Sequence, residues 1–404
     1  MGHGKRTTIT LEEATIPSDH PLQGLSKKAA IVGAIGLIAS GGLAAVSSER
    51  FFFSYLTSFM WWLSIALGGL WFVLIHHATR AGWSVVVRRF AETFMAGLPV
   101  MAILFLPLLA GMNDLFHWMH PEGDKVLEGK VGYLNPTFFV IRMVFFFACW
   151  ALLARFFYNN SAAQDTDPSP SITHRLRWWA PMGIALYALS STFAAFDWMM
   201  SLDPHWFSTI FGVYYFAGSA VSIFSCLVIL SMVLQKRGLL KDVITEEHFH
   251  DLGKLMFGFT VFWTYIAFSQ YFLIWYANLP EETMWYDHRS HGTWLYVGAF
   301  LCVGHFVLPF FFLMPRTIKR IRKTLFLGAC WLLFMHWVDM FYVIQPVLTH
   351  NEGGVDASFH LLDVTTFLGI GGVFLAVIAK KLCSNPLIPT GDPRLAESLT
   401  FENL

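Results

Sequence analysis

Ten separate stretches of this chain are each apolar over about 20 residues, the length a helix needs to cross a ~30 Å hydrocarbon core. They lie near 29–47, 55–78, 94–112, 136–157, 178–200, 206–234, 252–277, 293–314, 325–348 and 359–382. Such runs must either share one very large interior or face lipid, and composition decides between the two. Of 404 residues 55% are hydrophobic and 13% charged, against about 45–50% apolar and about 25% charged in soluble domains. Too little polar surface remains to cover a water-soluble particle. The predicted fold class is therefore an all-α integral membrane protein with about ten transmembrane helices. A segment 1–28 precedes the membrane domain 29–382, and a tail 383–404 follows it. The formal net charge is zero, so no bulk field favours nucleic acid.

Local signals sharpen the boundaries. Asn135-Pro136 and Asp203-Pro204 each read as an N-cap followed by proline at the first helical position. Pro99, Pro107 and Pro309 fall inside runs, which predicts kinks in the third and eighth helices. Trp61-Trp62, Trp178-Trp179 and Trp285-Tyr286 suit an interfacial aromatic belt. The first run follows Lys27-Lys28 and resembles a secretory signal, but the long acidic segment before it favours an uncleaved helix.

Basic residues predict the topology. Twenty-two Lys and Arg fall in the termini and in alternate loops, including Arg80, Arg88 and Arg89 after the second run. The opposite loops hold four, namely Arg50, Lys125, Lys130 and Arg289, and Arg142 lies inside a span. The positive-inside rule then places both termini in the cytoplasm. The other side is acidic, with Asp114, Glu122, Asp124, Glu128, Glu281, Glu282, Asp287, Glu352 and Asp356. No loop exceeds about 30 residues, too few for a further extramembrane domain.

Five scattered cysteines form no C-x-x-C or C-x-x-C-H, which argues against iron–sulfur ligation and covalent haem in this chain. Nucleotide-binding and zinc-protease motifs are missing too. What remains is a set of ionisable groups at membrane depth, each costing about 2.5–3.5 kcal/mol on insertion scales. His336 and Asp339 share one helical face, so this pair could pass a proton. His305, Tyr265, Gln270 and Asp363 are further relay candidates, with Asp363 equally placed to cap its helix. Arg142 either snorkels outward or pairs with an acid. A b-type haem between His305 and His336 is the competing reading of those two histidines. Asp197, Asp203 and His205, with Arg142, are the polar groups that could line a quinol pocket near the acidic side.

Two stretches carry a resemblance. Residues 193–216 read FAAFDWMMSLDPHWFSTIFGVYYF, and residues 268–283 read FSQYFLIWYANLPEET. Together they resemble the F subunits of alternative complex III, bacterial quinol:electron-acceptor oxidoreductases, which are similar to the NrfD-like membrane subunits of polysulfide reductases. The resemblance implies two four-helix bundles, helices two to five and six to nine, flanked by the first and last. It implies partners in a bacterial cytoplasmic membrane: a multihaem cytochrome c, an iron–sulfur protein, a mono-haem cytochrome, a second NrfD-like subunit, small membrane subunits and a terminal oxidase downstream. Haem c and iron–sulfur clusters would then reside in those partners, with none bound by this chain, and quinol or menaquinol would be the small molecule at hand. Two roles stay open on this resemblance: a structural, proton-conducting subunit, or the quinol-oxidising subunit. An independent secondary transporter is the alternative outside the family, weakened by the lack of paired broken helices in corresponding halves.

Overall fold

A computed structural model describes residues 7–351 and 353–403; Lys5, Arg6 and Glu352 of the charge pattern lie outside the described residues. Ten helices are long and apolar enough to cross a membrane, and the described residues form no strand. The spans are Pro21–Ala44, Ser48–Ala78, Val85–Ala110, Pro136–Ala163, Pro170–Leu202, Phe211–Lys236, Glu246–Ala277, Trp294–Leu313, Arg322–Asn351 and Leu361–Ser384, numbered 1 to 10 below. The all-α membrane class is thus borne out.

Span 2 is the central post, buried along nearly its whole length and packed against spans 3, 5, 6, 9 and 10. Spans 2–5 and spans 6–9 each pack among themselves, and the two groups meet along spans 2 and 6. Spans 1 and 10 pair at the flank. There Gly36 sits so close to Gly369 that a Cβ on it would lie 2.5 Å from the Gly369 nitrogen. Close backbone approach of this kind lets dispersion hold helices together where no hydrophobic drive exists in lipid.

Both proline expectations have a physical counterpart. Span 3 is interrupted at Ala96-Gly97, two residues before Pro99, into Val85–Met95 and Leu98–Ala110. In span 8 a π-turn occupies Cys302–Val307 just ahead of Pro309. Proline has no N–H to give to the carbonyl four residues back. Trp331 Nε1 donates to the neighbouring Gly304 carbonyl at 2.7 Å, which helps satisfy the disrupted ladder.

Several boundaries differ from the sequence reading. Asn135 does cap span 4, accepting from the Phe138 amide at 2.8 Å. Asp203 does not cap span 6, which starts at Phe211 after an irregular segment anchored by Lys130 Nζ on the Pro204 carbonyl. Arg88 and Arg89 lie inside the buried first half of span 3 rather than in a loop, because Glu92, Asp165 and Asp392 neutralise them. Arg50 likewise belongs to span 2. Trp61 and Trp62 sit mid-span, donating to the Leu333 and Phe367 carbonyls, so they are core and not belt. Trp178, 73% exposed, fits the belt.

Both described ends of the chain meet on one face. The Leu387 amide donates to the Ala14 carbonyl at 2.7 Å. Ser398 Oγ donates to the Trp83 carbonyl, and His248 Nε2 faces the Ser398 carbonyl at 3.0 Å. Asp392 is driven into this junction against Arg88 Nη2 at 2.6 Å. Burial pushes the Asp392 carboxyl up, but Arg88 and the Arg394 amide outweigh it and hold the group below its ordinary 3.8.

Two outcomes follow. Gly36→Leu should cost about 1–3 kcal/mol by overpacking, read as a lower thermal-denaturation midpoint in detergent. Gly41→Leu, where a Cβ meets nothing within 4 Å, should leave the midpoint unchanged. A lowered folded carboxylate value means that Asp392 contributes its full stabilisation above pH 3.8 and loses it as pH falls further. Amide exchange across 386–399, corrected for intrinsic rate, should therefore rise below about pH 4. In Asp392→Asn it should already be raised at neutral pH.

Candidate functional site

Every helix of the 6–9 group contributes at least one polar side chain to a cluster deep in the membrane region. Span 9 carries His336 and Asp339 on one face, three residues apart, with His336 Nδ1 3.8 Å from Asp339 Oδ2. Span 6 supplies Tyr214, whose hydroxyl donates to Asp339 Oδ1. Span 7 supplies Trp263, whose Nε1 donates to Asp339 Oδ2 at 3.1 Å. Span 8 supplies His305 from its π-turn, tilted by 30° against Trp263 with ring centroids 3.9 Å apart. Span 2 closes the group through Ser64, 2.9 Å from His336 Nε2. His305, His336 and Asp339 are fully buried.

The hydrogen-bond pattern fixes the imidazole tautomer. Ser64 Oγ gives its proton to the Trp61 carbonyl at 2.6 Å, so it can only accept from His336. His336 therefore carries its proton on Nε2 and turns an unprotonated Nδ1 towards Asp339. That Nδ1 has no other partner, and both ring nitrogens of His305 are also without one among the described residues. Gly218 makes room for the His336 ring, since a Cβ there would fall 2.7 Å from its Cε1. The Trp263 ring packs on His305 at an interplanar angle of 30°, and Ser64 engages His336.

Asp339 differs from the other buried acids of the spans. Asp197 is held by Arg142 through Nε–Oδ2 at 2.7 Å and Nη2–Oδ1 at 3.1 Å. Asp363 meets Arg50 Nη2 at 2.8 Å and Ser54 Oγ at 2.6 Å. Glu92 is paired with Arg88 and Arg89, and Asp251 with Lys254. Asp339 has no lysine or arginine partner among the described residues.

The remaining candidates separate. Tyr265 is 64% exposed on the lipid-facing side of span 7 and takes no part in the cluster. Gln270 is buried two turns above Trp263, accepting from Ser208 at 2.9 Å and donating to the Tyr286 hydroxyl at 3.2 Å. Asp363 serves as both the ion-pair partner of Arg50 and the N3 member of a capping box with His360. Arg142 takes the paired of its two predicted fates, with its guanidinium over the Tyr133 ring at 3.8 Å. Of the four quinol-lining candidates, Arg142 and Asp197 engage one another. His205 engages Asp124 at 2.6 Å, and Asp203 lies 3.9 Å from His288, which itself stacks on His350.

Tyr214, Trp263 and Ser64 escape sequence reasoning because tyrosine, tryptophan and serine are ordinary residues of apolar helices. One signal was available: Trp263 and Gln270 are seven residues apart, hence on one face of span 7.

Removing a charge from a paired site and from the unpaired one should differ in cost. Asp197→Asn strands Arg142 and should destabilise by about 3–5 kcal/mol, measured by thermal denaturation in detergent. Asp339→Asn strands no cation and should cost less than Asp197→Asn does. In the comparisons with known proteins, no family model and no curated protein matches the chain.

Proposed function

We propose that this chain is the membrane subunit, without a redox centre of its own, of a bacterial respiratory quinol:electron-acceptor oxidoreductase of the alternative complex III type, and that its buried Asp339 cluster carries protons. The assignment to a complex rests on the resemblance of residues 193–216 and 268–283. The proton role rests on one observation: the buried acids at Asp197, Asp363 and Glu92 are met by arginine, and Asp339 is met by none.

A carboxylate desolvated without a cation neutralises by taking a proton. A proton on Asp339 has an acceptor in view, His336 Nδ1, at 3.8 Å. That gap exceeds a hydrogen bond, so one water or a small side-chain shift completes the transfer. The resulting imidazolium gives one proton on to a water and keeps the other, and the Asp339 carboxylate takes up a new proton to complete the cycle. Tyr214 and Gln270 extend polar groups towards the face opposite the termini. In this reading both termini lie in the cytoplasm, as the concentration of Lys and Arg towards one end of the spans favours.

The quinol-oxidising role receives less support, since Arg142 and Asp197 satisfy one another. Two measurements test the proposal. A tagged chain should recover multihaem cytochrome c and iron–sulfur subunits from membranes; recovery alone in stable form contradicts the complex. In proteoliposomes of the purified complex, Asp339→Asn and His336→Ala should slow proton movement by about 100-fold, the low end of what a positioned acid or base contributes. Unchanged proton movement per electron in both variants removes the cluster from the route.

A further inference from the structure

On the face that carries both described termini, the ends of spans 7, 8 and 9 converge on a cationic patch. Asp251 is taken by Lys254 and Glu247 by Arg320, both at 2.5 Å. Lys319 gives its ammonium to the Leu313, Met314 and Pro315 carbonyls that end span 8. Arg316, Arg322 and Lys323 are exposed and have no acid partner among the described residues. Amid these cations His250 is buried, with Nδ1 lacking a partner among the described residues and with Lys254, Asp251, Arg316 and Lys319 as its charged neighbours, the Asp251 charge being taken by Lys254.

This is an uncompensated positive field at a membrane edge. Burial and the charge of Lys254 hold Lys319 below its usual range, as expected where cations crowd one another. Immediately beside the patch, exposed apolar side chains face where lipid would be: Phe311, Met314, Ile321 and Leu327. Positive charge above an apolar wall is the chemistry of a phospholipid with an anionic headgroup.

We propose that Arg316, Arg322, Lys323 and His250 bind the phosphate of an anionic glycerophospholipid whose acyl chains lie along Phe311, Ile321 and Leu327. Guanidinium groups suit phosphate oxygens by forming two parallel hydrogen bonds, and a His250 imidazole protonated on Nδ1 supplies a donor from the protein side. The site is independent of the Asp339 cluster and stands or falls apart from it.

Native mass spectrometry of the delipidated full chain, titrated with dioleoyl phosphatidylglycerol or dioleoyl phosphatidylcholine, tests this. The wild-type chain should retain one phosphatidylglycerol in preference to phosphatidylcholine. Arg316→Gln/Arg322→Gln/Lys323→Gln should weaken that binding about 100-fold, the sum expected for three basic residues at a membrane surface. His250→Gln should weaken it with all three basic residues retained, which covers the case of a misfolded triple variant. Lys241→Gln, an exposed basic residue on the same face, should leave it unchanged. Equal retention in the triple variant or in His250→Gln overturns the site, as does an equal loss in Lys241→Gln. Inorganic phosphate that competes as well as the lipid, mole for mole, overturns the lipid as its ligand.

Discussion

The Arg142–Asp197 pair shows what this interior demands of a charge. Neither group can reach bulk water, so each is cancelled in place by two hydrogen bonds and by the Tyr133 ring beneath the guanidinium. The same requirement places Asp363 against Arg50 and Glu92 between Arg88 and Arg89. These pairs tie span 4 to span 5 and span 2 to span 10, and they link span 3 to the tail through Asp392. Charge cancellation therefore organises the bundle as well as permitting it. Buried pairs of this kind add little net stability over apolar packing, but breaking one is costly. They fix which helices meet.

Against that background Asp339 is the exception, a buried acid of the second bundle with no lysine or arginine partner among the described residues. Four consecutive helices each present a polar group to it or to its neighbours, and span 2 closes the site from the other bundle through Ser64. The π-turn in span 8 belongs to the same arrangement. It follows from Pro309, and it carries His305 inward beside Trp263. Such turns recur at functional sites because they reorient one side chain without breaking the helix.

Much of the architecture was legible in the sequence because the bilayer imposes a length and a polarity on every span. The ten runs, the Asn135 cap and the interruptions near Pro99 and Pro309 follow from that and from proline's missing donor. Errors arose where tertiary partners override local signals. Arg88 and Arg89 read as loop residues because three acids, two of them distant in sequence, bring them inside. Asp203-Pro204 has the composition of a cap, yet span 6 begins only at Phe211. For the site, His336 and Asp339 were visible as a same-face pair. Tyr265 lies on the exposed side of span 7, away from Trp263, and residue type alone cannot tell those two sides apart. The absence of an arginine at Asp339 is a property of three-dimensional packing and has no sequence signature.

The central claim is that Asp339 meets its burial with a proton rather than a cation. Infrared difference spectroscopy of the detergent-purified protein, with isotope-labelled aspartate, reads this directly. At neutral pH the account predicts a protonated-carboxyl C=O band that shifts in heavy water and disappears in Asp339→Asn but persists in Asp197→Asn. A band unchanged in Asp339→Asn, or only ionised carboxylate signals from labelled aspartate, would contradict it.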